Sequence, residues 1–162
     1  MTDYEQLLRA LGEHKVEFIV VGGVAAIAHG SARHTFDLDV VYQRADANIG
    51  RLVSTLAPLN AYPRGAPPGL PFVFDLQTLA RGLNFTLVTT LGNIDILGEI
   101  TGGGTYENLL PHSIELEIFG VRCRCLTIRQ LIHVKRAAGR PKDFEAIAEL
   151  EVIEEESGES HQ

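Results

Sequence analysis

Two carboxylates stand one residue apart in the stretch HTFDLDVVY, Asp37 and Asp39. In a strand, residues i and i+2 project from the same face, so these two acids lie side by side while Leu38 and Val40 face the other way. Like charges this close repel, and one of them is driven to keep a proton unless a cation lies between them. A hard divalent ion such as Mg²⁺ relieves that repulsion, because it prefers carboxylate oxygen and retains sites for phosphate. The plain alternative is a half-exposed strand carrying two solvated acids. A third carboxylate, Asp95, lies between Ile94 and Ile96 in GNIDILGEI, another strand pattern. An acid so flanked sits either on the wet face of an antiparallel strand or at a site.

Fourteen residues before Asp37, the apolar run VEFIVV is closed by Gly22-Gly23, and a short run of small residues follows. A glycine pair that ends a strand and opens a helix lets backbone N–H groups approach an anion. No Gly-Lys-Ser/Thr follows, so this is not a P-loop, and the G-x-G-x-x-G dinucleotide pattern is also missing. A phosphate cradle one strand away from a carboxylate pair describes a site for a metal–nucleoside triphosphate. Arg33 and Thr35 come just before the pair, and a guanidinium there can hold a phosphate oxygen in a forked contact or bridge to a neighbouring acid. Lys135, Arg136, Arg140 and Lys142 cluster at a helix junction, where they either contact phosphates or sit on a wet face near a helix C-terminus. His29 and His34 read as structural or solvated, and Ser31 as a turn residue.

These residues need elements to hold them. Tyr4, Leu7, Leu8 and Leu11 form one helical face, with Gly12 as its end. Val16–Val21 reads as a buried strand, VAAIAHG as a short helix and Thr35–Tyr42 as the second strand. Ala45–Leu56 is helical. The Pro/Gly-rich residues 58–71 read as a loop, a candidate lid or partner-binding segment, with a short helix near Asp75–Leu79. Asn84–Thr89 and Asn93–Leu97 form a hairpin, and Gly102–Gly104 a flexible connector. Thr105–Leu110 is a short helix, and Ser113–Phe119 pairs with Val121–Leu126 around Gly120. Thr127 caps a helix over Ile128–Ala138 that stops at Gly139. A last helix covers Lys142–Glu155, with Glu149–Glu156 as a solvated face and a frayed tail beyond. The order implies an α/β (α+β) domain with a mixed sheet flanked by helices and a C-terminal helical pair.

At 162 residues, 45% hydrophobic and 22% charged, the chain has the composition of one globular domain. No apolar run reaches the length of a membrane span. The acid-bearing amphipathic start lacks the basic and apolar regions of a signal peptide, so a cytoplasmic location and no membrane partner are expected. A net charge of -7 disfavours broad non-specific nucleic-acid binding. The charge is uneven: Arg122–Lys142 holds seven Lys/Arg and no acid, and Asp143–Gln162 holds eight acids and no Lys/Arg. Cys123 and Cys125 share a strand face, too close to staple a loop, and read as reduced, partly buried thiols.

The block VVGGVAAIAHGSARHTFDLDVVY resembles the signature of the polymerase-beta-type nucleotidyltransferase superfamily: an apolar strand, a glycine pair, a helix, Asp-x-Asp, and one later Asp. HGSARHTFDLD together with KRAAGRPKDFEAI resembles the minimal bacterial nucleotidyltransferases of the AbiEii-like toxin group. The resemblance spans about residues 16–44, 93–97 and 127–150. It implies one nucleotidyltransferase-like domain over 1–156, with 127–156 as the C-terminal helical segment and 157–162 as a disordered tail. By that resemblance Gly22 and Gly23 cradle the triphosphate, with Arg33, Thr35, Lys135 and Lys142 also at the nucleotide. Asp37 and Asp39 hold two Mg²⁺ ions, with Mn²⁺ as a substitute, and Asp95 binds the second metal or takes the acceptor's proton. The reaction implied is NMP transfer from an NTP to a hydroxyl of a tRNA 3′ end, a protein or a small molecule, with an antitoxin as a further partner. The competing reading is a catalytically inactive nucleotide- or protein-binding module on the same fold.

Overall fold

The computed structural model describes residues 1–160. Nine strands and seven α-helices follow in chain order among them: α1 (Tyr4–Glu13), β1 (Phe18–Val21), α2 (Gly22–Ala28), β2 (Asp37–Tyr42), α3 (Asp46–Leu56), β3 (Tyr62–Pro63), α4 (Leu76–Arg81), β4 (Phe85–Thr89), β5 (Gly92–Leu97), β6 (Glu99–Ile100), β7 (Gly104–Thr105), α5 (Tyr106–Leu109), β8 (Ser113–Ile118), β9 (Val121–Leu126), α6 (Ile128–Ala138) and α7 (Phe144–Ser160). Seven strands form one mixed sheet in the order β3-β4-β5-β2-β1-β9-β8. β2 runs antiparallel to β1 and parallel to β5, and β9 runs parallel to β1. The expected α/β architecture with a mixed sheet and a C-terminal helical pair is the one observed.

The core follows from the apolar pattern. Leu7, Leu8 and Leu11 of α1 and Ile49, Leu52 and Leu56 of α3 are buried in one cluster with the sheet. Leu38 pairs with Ile94 and Val40 with Ile96, all four buried, so the β2–β5 seam is apolar on one face. α2 packs on β1 and β2, α6 packs on α2, and α7 on α6, which brings the two C-terminal helices to the glycine pair.

Several boundaries differ from the sequence expectation for identifiable reasons. β1 starts at Phe18 rather than Val16, because the Glu17 N–H donates to Asn48 Oδ1 (2.7 Å) and the Glu17 carbonyl accepts from Asn48 Nδ2 (3.0 Å). β2 starts at Asp37 rather than Thr35: the Thr35 and Phe36 carbonyls accept from the Tyr4 and Thr2 hydroxyls instead of a neighbouring strand. Gly102–Gly104 is no flexible connector: Gly102 and Gly103 lie in the turn of the β6–β7 hairpin, closed by Gly103 N–H to Ile100 C=O at 3.1 Å, and Gly104 opens β7. Gly102 lies so close to α6 that a Cβ there would stand 2.3 Å from the Ala137 methyl. After Gly139, in the left-handed conformation as expected, Pro141–Asp143 is a tight 3-10 turn, and α7 begins at Phe144. The tail expected from residue 157 is helical through Ser160, in keeping with a Glu-rich segment that carries no proline; residues 161–162 lie outside the described residues.

Gly12 does not end α1. It lies inside the helix, which closes at His14: the His14 N–H bonds the Ala10 carbonyl and the Lys15 N–H bonds the Gly12 carbonyl. A Cβ at Gly12 would meet nothing within 4 Å. Gly12→Ala is therefore expected to raise stability by about 0.5–1 kcal/mol, read as a higher urea midpoint with an unchanged slope.

Candidate active site

Parallel pairing of β2 with β5 puts Asp39 directly beside Asp95, and Asp37 beside Asn93. Asp37, Asp39 and Asp95 each bring a carboxylate oxygen within 4.8 Å of the others, the one such group of potential metal ligands among the described residues. The three acids that stand 58 residues apart in sequence are thus one cluster. Asp95 is where the sequence reading put it, and the reason is register: its neighbours Ile94 and Ile96 take the buried face, which leaves the carboxylate on the other.

The electrostatics are those of a site short of cations. Burial, then the neighbouring Asp95 and Asp37 charges, push the Asp39 carboxyl up to about 7. Its Oδ1 is buried without a hydrogen-bond partner. Gly22 sits directly against Asp39, at φ +66°, where a Cβ would stand 2.3 Å from Asp39 Oδ2. An orphaned carboxylate oxygen next to a helix start and to two further carboxylates is a donor set that fits a hard divalent cation. Gly23 is the next residue of α2, and a Cβ there would stand 2.6 Å from Thr35 Oγ1. The Thr35 hydroxyl also reaches the Asp37 carbonyl (3.3 Å), so Thr35 braces the glycine pair against the carboxylate strand.

Two adjoining cavities flank the glycines. One, of about 460 Å³, is lined by Gly22, Asp39, Leu97, Lys135 and Arg140 among others. The second, of about 240 Å³, is lined by Gly23, Arg33, His34, Lys135, Lys142 and Asp143. The expected nucleotide-contacting cations therefore do converge beside Gly22-Gly23, with Lys135 lining both cavities. Lys135 is held there by buried Asp143, at 3.5 Å, which also takes a hydrogen bond from Arg140 Nε at 2.7 Å. Burial alone would raise the Asp143 carboxyl; the Arg140 hydrogen bond and the Lys135 charge hold it below its usual value. Arg33 lies 3.7 Å from Glu145, both exposed.

Other residues have structural work. His29 Nε2 bonds the Leu126 carbonyl at 2.8 Å. Ser31 Oγ and Ala32 N–H donate to the Glu149 carboxylate at 2.6 and 3.1 Å. Glu149 thus ties the loop before β2 to α7, and those hydrogen bonds lower its pKa. The Glu149–Glu156 stretch is accordingly not a purely solvated face: Glu151 pairs with Arg136 and Glu154 with Arg129, stapling α7 to α6. Both cysteines are free thiols, pushed up to about 11 (Cys123) and about 12 (Cys125) by burial, as expected for packing residues.

One residue at the carboxylates went unnoticed in the sequence. Arg64 Nη2 donates to Asp95 Oδ1 at 2.6 Å, and Nη1 lies 3.6 Å from Asp37 Oδ2. Its backbone N–H donates to the Thr86 carbonyl (2.9 Å), next to the β3–β4 pairing. The signal was faint: Arg64 is the one charged residue between Arg51 and Asp75, in a segment whose prolines and glycines read as a loop. Instead of a free lid, Tyr62–Pro63 is the edge strand of the sheet. The chain after it wraps the Tyr62 ring, with Tyr62 Oη bonded to the Pro67 carbonyl and Phe72 edge-on to Tyr62.

The sequence matches no protein-family model and no curated protein. The architecture has solved counterparts. A Thermotoga maritima protein described as a "putative nucleotidyltransferase" aligns with a TM-score of 0.59 at 12% identity, over 90% of this chain and 88% of that one. The antibiotic-resistance factor ANT(2'')-Ia aligns with a TM-score of 0.56 at 16% identity, over 98% of this chain and 90% of its own. The chain has a nucleotidyltransferase fold. No helix among the described residues is long and apolar enough to cross a membrane.

Proposed function

We propose that this protein is a divalent-metal-dependent nucleotidyltransferase that moves an NMP from an NTP to an acceptor hydroxyl. The observation that carries the reading is the β2–β5 register, which assembles Asp37, Asp39 and Asp95 around the unpartnered Asp39 oxygen, on a fold shared with nucleotidyltransferases. Asp37 and Asp39 would hold Mg²⁺, or Mn²⁺ in its place. When bound, such an ion neutralises phosphate charge and orients the triphosphate for in-line displacement. The Gly22-Gly23 backbone offers N–H groups to the phosphates, and Lys135, Lys142 and Arg33 supply positive charge from the cavity walls. The acceptor oxygen forms its bond to the α-phosphorus as the bond to the β-bridging oxygen breaks, and pyrophosphate leaves with that electron pair. Asp95 would take the hydroxyl proton or share in metal binding. Catalysis here is positioning and charge neutralisation, with no covalent protein intermediate.

The acceptor classes are a tRNA 3′ end, a protein hydroxyl or a small molecule. The segments that resemble AbiEii-like proteins support a role as the toxin of a toxin–antitoxin pair, with a cytoplasmic target and a cognate antitoxin. That role is tested by induced expression: growth arrest with the wild type and none with Asp39→Asn supports it. The inactive-module reading draws its support from Arg64, which already partners two of the acids.

The two are separated by a thermal-shift titration with each of the four NTPs, with and without Mg²⁺. A ligand selective for the folded state at 100 times its Kd contributes about 2.7 kcal/mol. The expected outcome is a rise in Tm with one NTP that requires Mg²⁺ and vanishes in Asp37→Asn/Asp39→Asn. A nucleotide shift indifferent to Mg²⁺ and to both substitutions favours the inactive module.

A further inference from the structure

We propose that Arg64 is a resident cation of the carboxylate cluster and that the site consequently loads one divalent ion, between Asp37 and Asp39, rather than two. The inference rests on the nucleotidyltransferase reading and changes its metal count. Three ionised carboxylates carry three negative charges, and the guanidinium between Asp95 and Asp37 leaves two, which one divalent ion balances.

Arg64 is seated rather than draped. Nη2 donates both to Asp95 Oδ1 (2.6 Å) and to the Leu87 carbonyl (2.8 Å), which uses both its protons. The backbone on either side is part of the sheet edge: Pro63 pairs with Leu87 and the Arg64 N–H bonds Thr86. A charge-assisted contact fixed at both ends of the side chain is strong and geometrically specific. The cluster is left asymmetric as a result. Asp95 has its cation, whereas Asp39 Oδ1 is buried and has no partner. A second divalent ion at Asp95 would have to evict the guanidinium from a carboxylate and a carbonyl, or lie against a like charge.

The test counts ions directly. MnCl₂ alone is titrated into the nucleotide-free protein, and free Mn²⁺ is followed by its EPR signal for the wild type, Arg64→Gln, Arg64→Lys and Asp37→Asn/Asp39→Asn, each checked for cooperative unfolding. One site is expected in the wild type, two in Arg64→Gln, one in Arg64→Lys and none in the double aspartate variant. Two sites in the wild type would show that Arg64 yields to metal, and would overturn the inference while leaving the nucleotidyltransferase reading intact. One site in folded Arg64→Gln also overturns it, because Arg64 would not be what limits the count. The wild-type count decides the matter even if Arg64→Gln fails to fold, with Arg64→Lys as the charge-preserving control. No site in the wild type, or one that survives in the double aspartate variant, overturns the inference together with the metal-binding reading.

Discussion

Asp39→Asn is expected to lose nucleotidyl transfer by at least about 10³-fold and at the same time to make the metal-free protein more stable at pH 8. The activity loss follows from removing a ligand whose charge stabilisation is worth several kcal/mol, and 4 kcal/mol is about 10³-fold in rate. The stability gain follows from linkage. Burial and the Asp95 and Asp37 charges raise the Asp39 carboxyl from 3.8 to about 7 in the folded state. The folded protein therefore binds a proton that the unfolded chain releases. The stabilisation is fully present below about pH 4 and is lost as pH rises through about 7. Above that window the folded state carries a buried carboxylate it resists, at a cost of roughly 2–4 kcal/mol. Asn has the same shape and no charge, so it escapes that cost. Urea unfolding in EDTA at pH 5 and pH 8 measures this. The wild type should lose stability between the two, and Asp39→Asn should lose less and lie above it at pH 8. A variant less stable than wild type at pH 8 would mean that Asp39 is structural, with its carboxylate satisfied.

Gly22→Ala is expected to damage fold and site together. Gly22 has φ +66°, a conformation that costs an L-residue about 1–2 kcal/mol. The added methyl would also stand 2.3 Å from Asp39 Oδ2, a distance no relaxed contact reaches. Strain and overpacking together predict a loss of about 2–4 kcal/mol, by urea unfolding, and a matching loss of Mn²⁺ affinity as Asp39 is displaced. Gly12→Ala is the control, because the same substitution in an open helical position is expected to stabilise. Wild-type Mn²⁺ binding in folded Gly22→Ala would remove Gly22 from the site.

Much of this was legible in the sequence because its signals are local. Alternation alone put Asp37 and Asp39 on one face, and the step from VEFIVV to Gly22-Gly23 marked where a strand turns into a helix. Both hairpins, the Thr127 cap and the Gly139 stop read directly from turn and capping chemistry. Where local signals compete with tertiary partners, the reading slipped. Val16, Glu17, Thr35 and Phe36 look like strand, but Asn48, Tyr4 and Thr2 supply contacts that end the ladders early. Gly12 looks like a stop, yet α1 continues through it because nothing in its surroundings opposes the helix.

The carboxylate pair, the glycine pair and the order of elements were thus determined by the sequence alone, since residues a few positions apart interact through backbone geometry that any strand or helix shares. Only the tertiary structure decided how Asp95, singled out by its strand pattern, meets that pair, what holds Lys135, and where Arg64 goes. Asp95 meets Asp39 through the register of parallel strands that are not consecutive in the chain, and a shift of one residue would have turned it to the opposite face. Asp143 meets Lys135 only because a left-handed glycine and a 3-10 turn fold α7 back on α6. Arg64 sits in a segment whose composition specifies turns but no destination. Its place beside Asp95 comes from the pairing of a two-residue edge strand with β4, and from a cluster of negative charge that exists only once the sheet has formed.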